Sequence, residues 1–365
     1  MAIPPPIVAG GSTATFVPAG TLQTELASRL ASSRFKGFFD HMGIALADLT
    51  NIGEGPSGGG AFAVPLASNI QFDTQFAVGS LSKIAAMFAA FRLRDRVGIA
   101  AASVGSSATS ANDLVAKIMA DWGPIISKKI PKPPFDSPKL TQIFDFGMAS
   151  PWPAAFTTSG KAWNDLGSFH DTTKDRTNSL KFLDRMRLMI RFSDNGAAGS
   201  CVRDIGFQYI NASLAADGFA DNARNGFLWL GGDFGFEPTL PIMRGPPWDT
   251  GADATWVRAN ARGIISFLTL MWTNRLVDQT ASREMRDIML ERGVGFATNL
   301  SNSTVGQVRA FSKTGILSTV SEGVIVEANS SGRLLRYAGV GLSSHGDPPL
   351  VELSKIFLAT VGAVH

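Results

Sequence analysis

The residues best placed to do chemistry begin with Ser80-Leu-Ser-Lys83, which sets a hydroxyl and an amine three positions apart. On a helix, side chains at that spacing share a face, so the Lys83 amine is expected beside the Ser80 hydroxyl. A serine hydroxyl is a poor nucleophile until a neighbouring base takes its proton. A lysine can be that base where burial and nearby positive charge keep its amine neutral. If Ser80 opens a helix, the backbone N–H groups there can also hold negative charge on an oxyanion. The expected chemistry is nucleophilic attack on an acyl carbon.

Two further polar triplets follow in the chain. Ser193-Asp-Asn195 comes after the apolar Leu188-Met-Ile190 and before Gly196-Ala-Ala198. It falls at a break between helices, where short polar side chains can turn inward. Lys313-Thr-Gly315 ends a predicted strand, where glycine leaves room for a substrate against the edge. Each cluster alone fits a plain role: Ser80 as a helix cap, Ser193 to Asn195 as an Asx-type cap, Lys313 to Gly315 as a strand end. A second S-x-x-K, Ser33 to Lys36, falls where a surface helix is ending. The signal is the order S-x-x-K, S-D-N, K-T-G along one chain.

The elements that must hold these groups are legible from periodicity. Residues 80–94 predict a helix apolar on most faces (Leu81, Ile84, Met87, Phe88, Phe91), which marks a buried central helix. Residues 21–34 predict an amphipathic helix with Leu22, Leu26 and Leu30 inward. Residues 42–49 and 61–66 predict strands around a turn at 53–60. Helices are expected at 180–192, 197–204, 208–216 and 255–274, with a long ordered loop at 222–249. Strands are expected at 308–313, 323–328 and 334–340, the last two joined by a turn at 329–332, and a closing helix at 350–361. The order implies an α+β fold in which the two ends share one sheet. We expect an extended lead-in at 1–20, a sheet lobe from 21–75 with 305–365, and a helical lobe at 76–304 carrying a long insertion at 97–180.

With these motifs in these contexts, the chain resembles the class A β-lactamase and penicillin-binding serine hydrolases over roughly residues 21–363. The resemblance implies a five-stranded antiparallel sheet flanked by terminal helices, beside an all-α lobe. It implies that Ser80 is acylated, that Lys83 accepts its proton, and that Ser193 relays a proton to the leaving nitrogen. Asn195 would contact substrate and lysine. Lys313 and Thr314, with Gly315, would bind the substrate carboxylate, and the Ile316 N–H would be the second oxyanion donor, after one of those at the helix start. The family also carries a deacylating glutamate in a Glu-Pro-x-Leu-Asn stretch, and Glu237-Pro-Thr-Leu-Pro241 stands here in the matching order, with Pro241 in place of the asparagine. The strand after K-T-G lacks the family's arginine; Arg333 and Arg336 lie further on.

Composition narrows the alternatives. The chain has 365 residues, 45% hydrophobic and 17% charged, an ordinary globular balance. A net charge of +3, from 33 basic and 30 acidic residues, gives no footprint for nucleic acid. One cysteine, Cys201, makes no intramolecular disulfide. His41, His170, His345 and His365 show no metal-ligand spacing, and no cofactor or metal is expected. The triple glycine Gly58 to Gly60 lacks the rest of a phosphate-binding motif. No apolar stretch spans a bilayer. The first residues show no signal-peptide pattern, so the expected compartment is the cytoplasm, or the periplasm or exterior if a leader has been removed. The expected partner is a small β-lactam, peptide or ester substrate, met by a monomer. Three functions remain open on the residues: a β-lactamase, a peptidase or esterase of the same fold, and a non-catalytic binding module.

Overall fold

A computed structural model describes residues 12–52, 63–104, 138–145, 168–169, 180–232, 257–290, 308–317, 319–330 and 332–365, with 116, 120 and 234 singly. The chain divides into two compact units, one from 11–84, 217–229 and 255–365, the other from 1–10, 85–216 and 230–254.

The first unit is built on a six-stranded sheet. Its strands are β1 (Thr15–Pro18), β2 (Met42–Asp48), β3 (Ala63–Ser68), β10 (Val308–Ile316), β11 (Val320–Ser330) and β12 (Arg333–Ser343), in the order β1-β3-β2-β12-β11-β10. All neighbours are antiparallel except β1, which runs parallel to β3 from Thr15 opposite Ala63 to Pro18 opposite Leu66. The five antiparallel strands are those the resemblance implies. The sixth comes from the lead-in, whose extended Thr-Phe-Val stretch pairs its backbone with the edge of β3 instead of with water. The strands at the C-terminal end outrun their apolar cores because hairpins close them: Gly332, at φ 80, turns β11 into β12 beside the Ser330–Arg333 pair.

Helices α1 (Gly20–Ser32) and α10 (Leu350–Val364) pack on one face of this sheet, and the single turn α2 (Lys36–Phe39) links α1 to β2. Leu22, Leu26 and Leu30, at the helical repeat, meet Val324, Val326, Leu353 and Phe357 in one fully buried cluster. The even positions of β11 and Tyr337 of β12 face this cluster. The opposite face carries α8 (Ala261–Trp272), and α9 (Gln279–Met289) packs on β10.

Sequence and structure part company at four places here. Residues 255–274 are not one helix: Val257–Ala259 forms strand β9, and α8 starts only at Ala261. The Asn260 side chain accepts from the Gly263 N–H, a cap that defines the start. The loop at 222–249 contains strand β8 (Gly226–Leu230), buried throughout. β8 and β9 join β4 (Phe76–Ala77) and β7 (Ala220–Asp221) in a small second sheet, order β4-β9-β8-β7. Helix α9 went unseen because its polar positions hide the apolar stripe of Ala281, Met285, Ile288 and Met289. Residues 217–229 and 255–290 also cluster with the sheet, although their neighbours in sequence are helical.

The second unit is mainly helical. Helix α3 (Lys83–Val104) begins in the sheet unit, and from Ala85 on belongs to this one. Short α4 (Leu140–Ile143), α5 (Phe182–Arg191), α6 (Asn195–Ile205) and α7 (Phe207–Ala216) follow, with a two-stranded pairing of β5 (Phe144–Asp145) and β6 (Ser168–Phe169). Phe91, Phe144, Phe169 and Phe182 cluster ring on ring, with the Arg94 guanidinium 4.8 Å from the Phe91 centroid. Arg185 and Asp204 pair at 2.7 Å between α5 and α6. Much of the expected insertion at 97–180 lies outside the described residues.

Candidate active site

Ser80 stands in a single 3-10 turn, Gly79–Ser82, that runs directly into α3. The Lys83 N–H donates to the Ser80 carbonyl, and the Leu81 N–H donates to the Val78 carbonyl at 3.1 Å. In a 3-10 turn residues three apart eclipse each other, so Lys83 lies over Ser80 more squarely than on an α-helix. Ser80 is half-buried, whereas Lys83 is 0% exposed. A partly exposed serine thus precedes, by one turn, a lysine withdrawn from water. The two N–H groups that open such a turn have no intrahelical partner.

Gly79 makes the turn possible. Its φ of 50 lies where a side chain is strained, and an added Cβ would stand 2.7 Å from the Ile316 carbonyl oxygen. Gly315 has the same relation from the other side: a Cβ there would meet the Val78 carbonyl oxygen at 1.8 Å and the Leu81 nitrogen at 2.6 Å. Two glycines therefore let the end of β10 and the turn bearing Ser80 touch backbone to backbone. This contact brings Lys313, Thr314, Gly315 and Ile316 to Ser80 and Lys83.

The direction of the β10 groups follows from its register. β10 is the edge strand, and the Leu317 N–H donates to the Thr319 carbonyl at 3.0 Å to close its hairpin. Pairs alternate along an antiparallel ladder, so Gly315 and Lys313 bond to β11 while Ile316 and Thr314 turn their N–H and C=O outward. The Ile316 carbonyl next to Gly79, and the Thr314 carbonyl accepting from Lys313 Nζ at 2.7 Å, both agree. The Ile316 N–H consequently points to the open edge, beside the turn of Ser80.

Charge is concentrated and buried here. Lys313 is 3% exposed, and its ammonium is pulled from 10.5 down to about 7. Burial is the main cause; the nearby Lys83 charge lowers it further, and Glu322 pulls the other way. Glu322 itself is 0% exposed and lies directly opposite Thr314 on β11. Sequence reasoning passed over Gly79 and Glu322. A glycine immediately before the serine, and an acid, Glu322, at a strand position between apolar ones, were the available signals.

Ser193 and Asn195 belong to the helical unit. Ser193 adopts φ 57, left-handed backbone that costs about 1–2 kcal/mol for a non-glycine residue. Asp194 caps α6, accepting from the Ala197 N–H at 2.6 Å, and Asn195 is the first residue of that helix. The triplet is a turn between α5 and α6, as the sequence suggests, with its middle member spent on the cap. Glu237 and Pro241 lie outside the described residues. The second S-x-x-K is structural: the Ser33 hydroxyl accepts from the Phe35 N–H, and Lys36 pairs with Asp40 at the surface.

Cys201 is buried, and burial pushes its thiol up to about 12, so it is unreactive. Phe227, Trp229 and Phe234 are buried as packing residues. Arg336 bonds Glu327 at 2.9 Å and sits level with Arg309, roughly 20 Å along the sheet from Gly315. Among the described residues no group of three or more His, Cys, Asp or Glu side chains could hold a metal ion. No helix among them is long and apolar enough to cross a membrane.

Comparison with known proteins gives a consistent picture. The sequence pattern of the beta-lactamase enzyme family matches residues 156–338, just over half of the chain. The match takes in Ser193 to Asn195 and Lys313 to Gly315 and begins beyond Ser80. No curated protein matches. Among solved structures, a beta-lactamase from Chitinophaga pinensis DSM 2588 aligns at 12% identity over 95% of this chain and 100% of its own, with a TM-score of 0.50. A class A beta-lactamase from Mycobacterium abscessus aligns at 12% identity over 93% and 99%, with a TM-score of 0.47. A beta-lactamase from Burkholderia phymatum gives 12%, 93%, 97% and 0.47. At such identity the first of these speaks for the fold alone.

Proposed function

The chain belongs to the beta-lactamase enzyme family, and on that premise we propose that it is a serine hydrolase that opens a cyclic β-lactam amide through an acyl-enzyme on Ser80. The observation that carries the reading is the glycine-on-backbone contact of Gly315 with the turn from Val78 to Leu81. That contact gives a nucleophile, a buried amine and an edge N–H one neighbourhood.

In the proposed reaction the Ser80 oxygen attacks the lactam carbonyl while its proton passes to the Lys83 amine. The Ser80 and Ile316 N–H groups stabilise the oxyanion that forms; in enzymes with such donors, loss of one costs about 10²–10³ in rate. Collapse breaks the carbon–nitrogen bond, and the leaving nitrogen takes a proton through the Ser193 hydroxyl, replenished from the lysines. Asn195 orients the substrate, and Lys313 and Thr314 hold its flank. Water, deprotonated by Glu237, then attacks the ester, and the Ser80 oxygen leaves with a proton. The roles of Ser193, Asn195 and Glu237 come from their motifs.

Intact-mass measurement with a chromogenic cephalosporin tests this. The expected result is a one-to-one adduct on Ser80, with a burst of colour, and neither in Ser80→Ala. Equal turnover by that variant overturns the reading.

Pro241, at the place of the family's water-holding asparagine, favours a second reading: a peptidase or esterase that a β-lactam acylates and then inhibits. An adduct that persists for hours supports it; one that clears within seconds supports the lactamase.

A further inference from the structure

The turn that carries Ser80 holds a second serine to which the proposed reaction gives no part. Ser82 is 0% exposed, and its Oγ donates to the Gly79 carbonyl at 2.7 Å. A buried hydroxyl on a helical turn often satisfies itself by bonding back in this way. Ser354 does so on α10, donating to the Val351 carbonyl, also at 2.7 Å. The two bonds are alike; they differ in the peptide group that accepts them.

The Gly79 carbonyl and the Ser80 N–H are the two ends of one peptide group. That group is planar and trans, so its C=O and N–H point in opposite directions. Ser82 draws the carbonyl toward the buried side of the turn, and the Ser80 N–H faces the other way, where Ser80 is partly exposed. The Leu81 N–H is spent on the Val78 carbonyl, and the turn offers the Ser80 N–H no partner of its own.

Gly79 gives this peptide little resistance to turning. It stands at φ 50, and without a Cβ it takes either sign of φ with similar ease. The glycine that lets Ile316 approach thus also loosens the peptide that has to be aimed. The backbone bond of a 3-10 turn, from the N–H three residues on, is poorly aligned. A carbonyl has two lone pairs, and the Ser82 hydroxyl supplies a further donor to this one. A donor on the C=O also polarises the group and strengthens its N–H as a donor in turn.

We infer that Ser82 is a positioning residue: its hydroxyl locks the Gly79–Ser80 peptide so that the Ser80 N–H is fixed as an oxyanion donor. The inference rests on the acyl-enzyme reading of Ser80. Being fully buried, Ser82 meets no substrate and acts through the peptide alone.

Pre-steady-state acylation of the whole chain by a chromogenic cephalosporin separates binding, K, from the acylation constant, k2, and the burst amplitude counts competent chains. In Ser82→Ala, k2 is expected to fall roughly five- to twentyfold, short of the 10²–10³ that follows outright loss of a donor. K and the burst amplitude should stay at their natural values. Ser82→Cys, of similar size with a weaker donor, should fall between. Ser354→Ala removes the same kind of bond on α10 and should leave k2 unchanged. A purely structural Ser82 would lower the urea midpoint and leave k2 intact, and that result overturns the proposal. So does an equal fall in k2 for Ser82→Ala and Ser354→Ala. Should Ser82→Ala fail to fold, Ser82→Cys decides, and k2 at its natural value there overturns the proposal. Absence of any Ser80 adduct in the natural chain overturns the acyl-enzyme reading and this inference with it, whereas an adduct whose k2 is indifferent to Ser82 overturns only the role of Ser82.

Discussion

Gly315 lies so close to Val78 that a single methyl group on its Cα would stand 1.8 Å from the Val78 carbonyl oxygen. Nothing flexible borders it on that side; the neighbours are the backbone of the turn that carries Ser80. The third motif of this chain is thus a spacer as well as a source of polar groups. Its glycine sets how near the edge strand comes to Ser80.

Gly315→Ala is therefore expected to separate β10 from the Ser80 turn. Overpacking of this kind costs about 1–3 kcal/mol, and acylation should fall by orders of magnitude because the Ile316 N–H moves with the strand. Gly20→Ala, at the start of α1 with nothing within 4 Å of its added methyl, is the control and should leave both unchanged. Urea midpoints and adduct formation rates read the two effects separately.

Lys83→Met tests the amine under the serine. The exchange keeps the length and apolar stem of a side chain that is 0% exposed, so folding should survive or improve. Acylation by a chromogenic ester or lactam should fall steeply. Removal of the neighbouring charge should also raise the proton affinity of Lys313, visible as an upward move of its titration by NMR. Acylation at the natural rate in this variant would remove Lys83 from the mechanism.

Lys313 ties stability to pH in a definite direction. Below about 7 the folded and unfolded chains both carry its proton. Between about 7 and 10.5 only the unfolded chain does, so stability rises with pH across that window. The slope is at most ~1.4 kcal/mol per pH unit. Lys313→Met should flatten the rise, measured as the difference between the two chains in denaturant midpoint from pH 6 to 9. Parallel curves would show that burial of this amine has no energetic consequence.

Ser193 and Asp194 offer a separation of strain from support. With φ 57 at Ser193, a glycine there should raise stability by about 1 kcal/mol, while loss of the hydroxyl should slow turnover. Asp194→Ala removes the cap of α6 and should cost about 1 kcal/mol. A Ser193→Gly chain with full turnover would leave Ser193 only a structural turn.

The order of elements was legible because burial writes a period into the residues. Leu22, Leu26 and Leu30 recur at the helical repeat and face the sheet, and the apolar run from Leu81 announced a buried α3. Where the period was short or polar, the reading failed. β9 was absorbed into the helix that follows it because three residues carry no period, and α9 was missed because its exposed face is densely charged.

For the site, the sequence by itself determined the chemical types, a hydroxyl with an amine three residues on, and the presence of a glycine after Lys313-Thr314. Only the tertiary structure decided that Gly79 and Gly315 press the edge strand against the Ser80 turn, that the Ile316 N–H faces outward, and that Glu322 lies buried beside Thr314. The physical reason is range. Helical spacing and turn preference act between near neighbours in the chain, whereas register, backbone contact and the field of a buried charge arise between strands and turns distant in sequence.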